Sequence, residues 1–406
     1  MERRETRQLT LGNDHTGIVR IGGDASVSVQ TMTSGYTHDI DGCVAEINRL
    51  TGAGADIVRV AVPKRADTEA LSEILNQTRV PIVADVHFHY QRALEAVEAG
   101  VHKIRLNPGN IDDREQVDRV IDACAERSLP IRIGVNEGSI IERKDKKRRM
   151  EELGKFFADH RDGHLMAIMI AKLEEYLEIF HARNFHDICI SAKSMDARLA
   201  IDTYREISKR FDYPLHLGVT HAGPRETGSI RSVVALGTLL AEGIGDTLRI
   251  SYASDAIFEV QDGFEMLWSL GLRDRVGAEL IACPTCGRIQ VDLFELVQKV
   301  RSRLANDIEV PMKVAVMGCV VNGPGEAEGA DIAVFAGDRK GIIYVQGQRV
   351  ANIPEEEILD RLLAECREFQ DRVRSGEAKL GEKTVEIVPP EVSGEAGTEH
   401  VTIGKS

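Results

Sequence analysis

The chain has 406 residues, 43% hydrophobic and 29% charged, which supports a sizeable core and argues against wholesale disorder. Its 65 acidic residues against 51 basic ones leave a net charge of −14, which excludes a general nucleic-acid coat and disfavours an anionic membrane surface. No apolar run is long enough to span a membrane, no apolar signal core follows the N-terminus, and seven cysteines form no disulfide pattern, so a cytoplasmic protein is expected.

The first two-thirds repeat one unit, a short β-branched run followed by an amphipathic stretch. Strands are expected at 26–31, 56–62, 80–86, 102–107, 130–136, 187–193, 214–220 and 246–251. Helical stretches such as 39–53, 90–99, 195–209 and 229–242 lie between them. Eight alternating units predict a closed (β/α)8 TIM barrel, an α/β fold. An open doubly wound sheet would show a glycine-rich phosphate loop after its first strand, and none occurs here. The connection between the fifth and sixth strands is the longest. It carries the charge run 142–149, read as a solvated face or loop, with a cationic lid over the barrel mouth as the alternative.

Four barrel strands carry an arginine inside an apolar run: Arg59, Arg105, Arg132 and Arg249. A buried guanidinium is costly unless something pairs with it. Residues two apart on a strand share a face. Arg105 therefore shares a face with Asn107, Arg132 with Asn136, Arg249 with Ser251, Asp85 with His87, and Lys193 with Ser191. These groups fall at the C-terminal strand ends, where barrel active sites are built. Four arginines and a lysine at one mouth suit a strongly anionic ligand such as a phosphate or diphosphate. The competing reading pairs each arginine with a carboxylate inside the barrel.

After about Leu272 the pattern changes. A helix at 292–304, strands at 312–317, 331–335 and 341–345, and a helix at 355–373 predict a separate, smaller α+β domain. The expected organisation is a barrel over 1–272, this second domain over 273–373, and a disordered tail over 374–406. Cys283-Pro284-Thr285-Cys286 opens the second domain, and Cys319 follows its first strand, ahead of Asn322-Gly323-Pro324-Gly325-Glu326. Three thiolates suit zinc or an iron–sulfur cluster. Neither Cys366, on a predicted helix, nor His400, in the tail, is a convincing fourth ligand; Glu326 is the nearest plausible donor.

These cysteine segments, with Gln30-Thr31-Met32-Thr33, Ala84-Asp85-Val86-His87-Phe88, Arg105-Leu106-Asn107-Pro108-Gly109-Asn110 and Ile131-Arg132-Ile133-Gly134-Val135-Asn136, carry a resemblance. Over roughly residues 8–370 the sequence resembles the 4-hydroxy-3-methylbut-2-enyl diphosphate synthases of the methylerythritol phosphate route to isoprenoids. The resemblance implies a 4Fe–4S cluster on Cys283, Cys286, Cys319 and Glu326. It implies reductive ring opening of a cyclic diphosphate, flavodoxin or ferredoxin as electron donor, and a homodimer. Arg59, Arg105, Arg132, Lys193 and Arg249 would hold the diphosphate, and Asn107, Asn136 and Ser251 would orient it. Asp85 and His87 would bond the substrate or move protons. Asn322 and Arg288, flanking the cysteines, would tune the cluster or reach the diphosphate.

One position departs from the family pattern. Where Thr-Glu-Ala-Gly is usual, this chain reads Thr220-His221-Ala222-Gly223. His221 is expected to take an acid–base role in the glutamate's place, with Glu226 as a second candidate. Two other readings of the residues are a zinc-dependent barrel hydrolase of a phosphorylated substrate and a non-catalytic anion-binding barrel with a zinc knuckle.

Overall fold

Strict alternation decides the architecture. In each barrel strand one set of side chains is apolar and packs outward on the helices; the other set faces the bore. The computed structural model describes residues 2–87, 89–106, 111, 113–136, 155, 162–319, 327, 329–337 and 339–382. Asn107, Asn322, Glu326 and the segments 142–149 and 383–406 lie outside the described residues. Contacts divide the chain into two units, Met1–Arg273 and Asp274–Ser406.

The first unit opens with a hairpin that sequence reading did not anticipate: Leu9–Asn13 (β1) pairs antiparallel with Gly17–Ile21 (β2). Its Leu9, Leu11 and Ile21 pack against Ile57, Val83 and Cys189 and seal the lower end of the bore. Eight parallel strands follow. They are Ser28–Met32 (β3), Ile57–Ala61 (β4), Ile82–Asp85 (β5), Lys103–Leu106 (β6), Ile131–Asn136 (β7), Ile188–Lys193 (β8), His216–Leu217 (β9) and Thr247–Leu248 (β10). Their order is β8-β7-β6-β5-β4-β3-β10-β9, and a bridge between Ile190 and Leu215 joins the two ends. All eight expected strands are present, in the expected barrel.

The helices start where the sequence offers a cap. Asp39, Asp113, Asp196 and Asp255 each accept a backbone N–H of the first turn that follows. The helical stretch expected at 229–242 begins earlier, at Arg225. It is interrupted by a π-helical turn, Val233–Gly237, before Thr238–Ala241. The outward strand residues, among them Val58, Val60, Ile104, Leu106, Ile131, Ile133, Ile188 and Ile190, form one core with the helices.

The second unit is a five-stranded mixed sheet: Glu279–Ala282 (β11), Lys313–Met317 (β12), Ile332–Gly337 (β13), Lys340–Val345 (β14) and Gln348–Pro354 (β15). The first three strands run parallel and the last two pairings are antiparallel. Strands β11 and β15 were not expected. Both are half-exposed edge strands, so they lack the apolar run that marked the others. Helices Leu293–Asp307 and Ile358–Ser375 cover one face through Val300, Leu304, Leu362, Cys366 and Phe369. Packed chain continues beyond the expected limit of 373. Ala378 joins the core, Gln346 Nε2 donates to the Lys379 carbonyl at 3.0 Å, and the Gly381 N–H donates to Asp331 at 2.6 Å.

Because the barrel core closes within Met1–Arg273, a chain ending after Arg273 should keep its helical far-UV signal and a cooperative melt. An unfolded product would show that the barrel needs the second unit to fold.

Candidate active site

The inner faces of the barrel strands are polar over most of their length. Reading upward in steps of two, β4 presents Arg59, β5 Asp85 with His87 beyond it, β6 Arg105, β7 Arg132 and Asn136, and β8 Ser191 and Lys193. Beyond β9 and β10 come Thr220, Arg249 and Ser251. These side chains converge. A cavity of about 280 Å³ at the C-terminal mouth is lined by all of them, together with Val219 and His221.

Asp85 ties the first two arginines together. Its Oδ1 accepts from Arg105 Nη1 at 3.3 Å, and its Oδ2 lies 3.6 Å from Arg59 Nε. Arg59 also donates from Nε and Nη2 to the thioether of Met32, at 3.1 and 2.9 Å. Arg249 Nε meets Glu259 Oε2 at 3.4 Å. Glu259 is itself buried, in the first turn of Ala256–Ser269, where it also accepts from Thr31 Oγ1 and the Tyr252 N–H. Arg132 pairs with no carboxylate among the described residues: its Nη1 donates to Ser191 Oγ at 3.0 Å. The carboxylate-pairing reading therefore holds for three of the four arginines. Among the described residues five cations share two carboxylates, so this lining keeps a surplus of positive charge.

Two glycines make room for this arrangement. A Cβ at Gly134 would stand 2.5 Å from Ser191 Oγ, and one at Gly218 would stand 2.6 Å from Lys193 Nζ. Any side chain there would push the hydroxyl off Arg132 or the ammonium out of the mouth.

Burial and mutual repulsion set the charge states. Burial pushes Lys193 well below the usual lysine range, and Arg132, Arg249, Arg59 and Arg105 push it further. Burial likewise lowers Arg59, against the opposing pull of Asp85. Burial works to raise Asp85, but Arg59 and Arg105 outweigh it and hold the carboxyl below its ordinary value. Asp85 is thus an ionised anchor at neutral pH. Burial also lowers His87, so its imidazole is neutral there. Arg105 Nη1 lies 3.1 Å from His87 Nε2, and a guanidinium can only donate. The His87 proton therefore sits on Nδ1.

The expected residues divide as follows. Arg59, Asp85, His87, Arg105, Arg132, Asn136, Lys193, His221, Arg249 and Ser251 line one cavity. His221 is exposed at its rim, with a left-handed backbone of φ 51°. Glu226 is exposed on the helix Arg225–Ser232 and is not part of the lining, which removes it as the substitute for the missing glutamate. Arg288 is exposed in the second unit. Sequence reading missed Met32, Thr220 and Glu259. The signal for Glu259 was a carboxylate on the buried face of a helix's first turn.

In the second unit, β11 and β12 are parallel neighbours, with Ala282 beside Val316. Cys283 and Cys319 therefore leave the same edge of the sheet. The Gly318 N–H donates to Cys283 Sγ at 3.3 Å, and the Gln290 N–H donates to the Gly318 carbonyl at 3.2 Å. The Cys283–Cys286 turn is thus laced to the residue before Cys319. Among the described residues no three His, Cys, Asp or Glu side chains close into a ready cage for an ion. Thiols gathered at one strand edge, one of them already accepting a backbone N–H, do fit the thiolate chemistry of an iron–sulfur cluster.

Residues 12–264 match the GcpE TIM-barrel domain, and residues 279–368 match the GcpE protein C-terminal domain. A Symbiobacterium thermophilum protein named 4-hydroxy-3-methylbut-2-en-1-yl diphosphate synthase (flavodoxin) is 46% identical over 363 residues, 89% of this chain and 93% of its own length. A Geobacillus thermodenitrificans protein of the same name is 42% identical over 390 residues, 95% of this chain and 99% of its own length.

Proposed function

The chain belongs to the GcpE family, and from that premise we propose how its barrel mouth makes 4-hydroxy-3-methylbut-2-enyl diphosphate from 2-C-methyl-D-erythritol 2,4-cyclodiphosphate. The chain is an oxidoreductase of isoprenoid biosynthesis. Its relatives' names give the zinc-hydrolase reading no support. In the reaction two electrons and one proton enter, the ring opens at a carbon–oxygen bond, a hydroxyl leaves as water, and the freed phosphoryl oxygen keeps one further negative charge.

The observation that carries the reading is the cation surplus in the mouth. Arg59, Arg105, Arg132, Lys193 and Arg249 bind the diphosphate, the guanidinium forks matching its oxygens. They also stabilise the extra charge that the diphosphate gains as the ring opens. Asp85 holds Arg59 and Arg105 in place rather than moving a proton. Asn107, Asn136 and Ser251 orient the ligand. His87, neutral with its proton on Nδ1, and His221, at the rim, are the acid–base candidates.

Cys283, Cys286, Cys319 and Glu326 would hold a 4Fe–4S cluster, with Arg288 and Asn322 flanking the cysteines in sequence. When bound, that cluster passes single electrons from reduced flavodoxin, or a ferredoxin, to the substrate. The protein works in the cytoplasm as a homodimer. The exposed apolar side chains of Ile230, Val233 and Val234, close together on one helical segment, support a subunit interface.

The test is anaerobic purification followed by turnover with reduced flavodoxin and the cyclodiphosphate. A brown protein absorbing near 400 nm that forms the linear diphosphate is expected. A colourless zinc protein that only hydrolyses phosphate esters would overturn the reading.

A further inference from the structure

Beneath the mouth the bore carries a second polar layer. Lys103 stands two residues below Arg105 on the inner face of β6 and is wholly buried. Its Nζ has no hydrogen-bond partner among the described residues. On β9, His216 is equally buried, with neither ring nitrogen partnered, and on β3 the same holds for both amide atoms of Gln30. The hydroxyls of Ser28 and Thr247 complete the layer, again unpartnered among the described residues. Just above, the Nε atoms of Arg105 and Arg132 are in the same condition. Leaving such a buried group unsatisfied destabilises the fold, because it has given up its water without gaining a partner. Barrel interiors are ordinarily filled by branched apolar residues, so a layer of this kind needs a reason.

We propose that this floor is a second tier of the diphosphate site, in which Lys103 is a positioning residue that completes its protonation as negative charge arrives on the arginines above it. The inference rests on the cyclodiphosphate reading of the mouth. Ring opening frees one phosphoryl oxygen, so the ligand gains about one unit of negative charge. Lys103 supplies the matching positive charge from below without touching the ligand. One proton from solvent forms an N–H bond at Nζ, and no other bond changes.

The surroundings suit that task. Lys103 faces Cys189 from β8, Arg132 from β7, Arg59 from β4 and His216 from β9. Its β5 neighbour is Val83, and the hairpin below offers Leu9, Leu11 and Ile21. Burial pushes Lys103 down to about 8; Cys189 opposes this, and Arg132 and Arg59 add to it. An anion that neutralises those arginines removes their repulsion and raises Lys103 again. His216 is held far below the imidazole range by burial and the same cations, so it stays neutral and does not compete for the proton.

Titration calorimetry of the full chain with inorganic pyrophosphate at pH 8, in buffers of different ionisation heat, reads the proton directly. Parent protein should take up about half a proton more than Lys103→Met, because a lysine titrating near 8 is half-charged at that pH. Lys103→Arg, charged throughout, should lose that uptake as well. In turnover of the cyclodiphosphate, Lys103→Met should lower kcat about tenfold with KM changed less than about twofold, and Lys103→Arg should restore kcat. Equal proton uptake in parent and Lys103→Arg would overturn the inference, even if Lys103→Met failed to fold. Pyrophosphate binding that is absent, or indifferent to Arg132→Met, would overturn the anion-site reading as well. Binding that needs Arg132 but is blind to Lys103 would sink this inference alone.

Discussion

Arg132→Met will bind the cyclodiphosphate roughly 100-fold more weakly and melt no lower than the parent. Both halves follow from the same environment. Arg132 is 2% exposed, bonds Ser191, and has no carboxylate partner among the described residues. Burial, and then the repulsion of Arg105, push it down to about 10. Below pH 10 the guanidinium is charged both folded and unfolded, so its burial penalty is constant. Above pH 10 the folded chain loses the proton first and the penalty shrinks. At neutral pH that penalty is on the order of 3 kcal/mol, from the fall of the guanidinium to about 10. Removing the charge relieves it, while a methionine keeps most of the packing of the stem. Losing a buried charge-assisted partner of a phosphate costs about 2–5 kcal/mol of affinity, which gives the 100-fold loss. Calorimetry and a thermal melt check both halves. A collapsed melt with normal binding in the folded fraction would make Arg132 a structural residue.

Cys319→Ala will purify without the brown chromophore and lose turnover by more than about a thousandfold, with the melt of the barrel unit unchanged. Cys319 is buried at the end of β12, and the residue before it already donates its N–H to Cys283. Removing this thiolate would take away one of the three proposed cysteine ligands of the cluster. Glu326→Ala should behave differently. A carboxylate is a hard oxygen donor, a poorer match to iron among sulfurs than a thiolate is. Its loss should leave most of the absorbance near 400 nm while removing most turnover. Parent-rate turnover in Glu326→Ala, with unchanged spectra, would make Glu326 an ordinary polar residue beside its turn.

Much of this protein is legible along the chain, for a local reason. Each barrel strand has an apolar outer face and a polar inner one, and alternation is a property of neighbouring residues. That is why eight strands, the barrel and the shared faces of Arg132 with Asn136 and of Lys193 with Ser191 could be read without coordinates. The cysteine spacing was equally local. The packing of 374–382, the first residues of the expected tail, was not legible because composition says nothing about Asp331 and Gln346, distant residues that hold 379–381 in place. The hairpin β1–β2 was missed because its value lies in what it covers, the lower end of a bore built from strands far along the chain.

What only the tertiary structure decided is which charges meet. Arg59 and Arg105 share Asp85 because β4, β5 and β6 are neighbours in a particular register. Arg249 gains Glu259 because the helix Ala256–Ser269 turns its first buried carboxylate under β10, and Arg132 is left with a hydroxyl because Ser191, opposite Gly134, is what β8 presents there. Alternation tells which side of a strand a residue occupies. The partner across the gap, and so the surplus charge that makes the mouth an anion site, depends on strand order and register. Those are set by the closure of the whole barrel, which no short stretch of sequence contains.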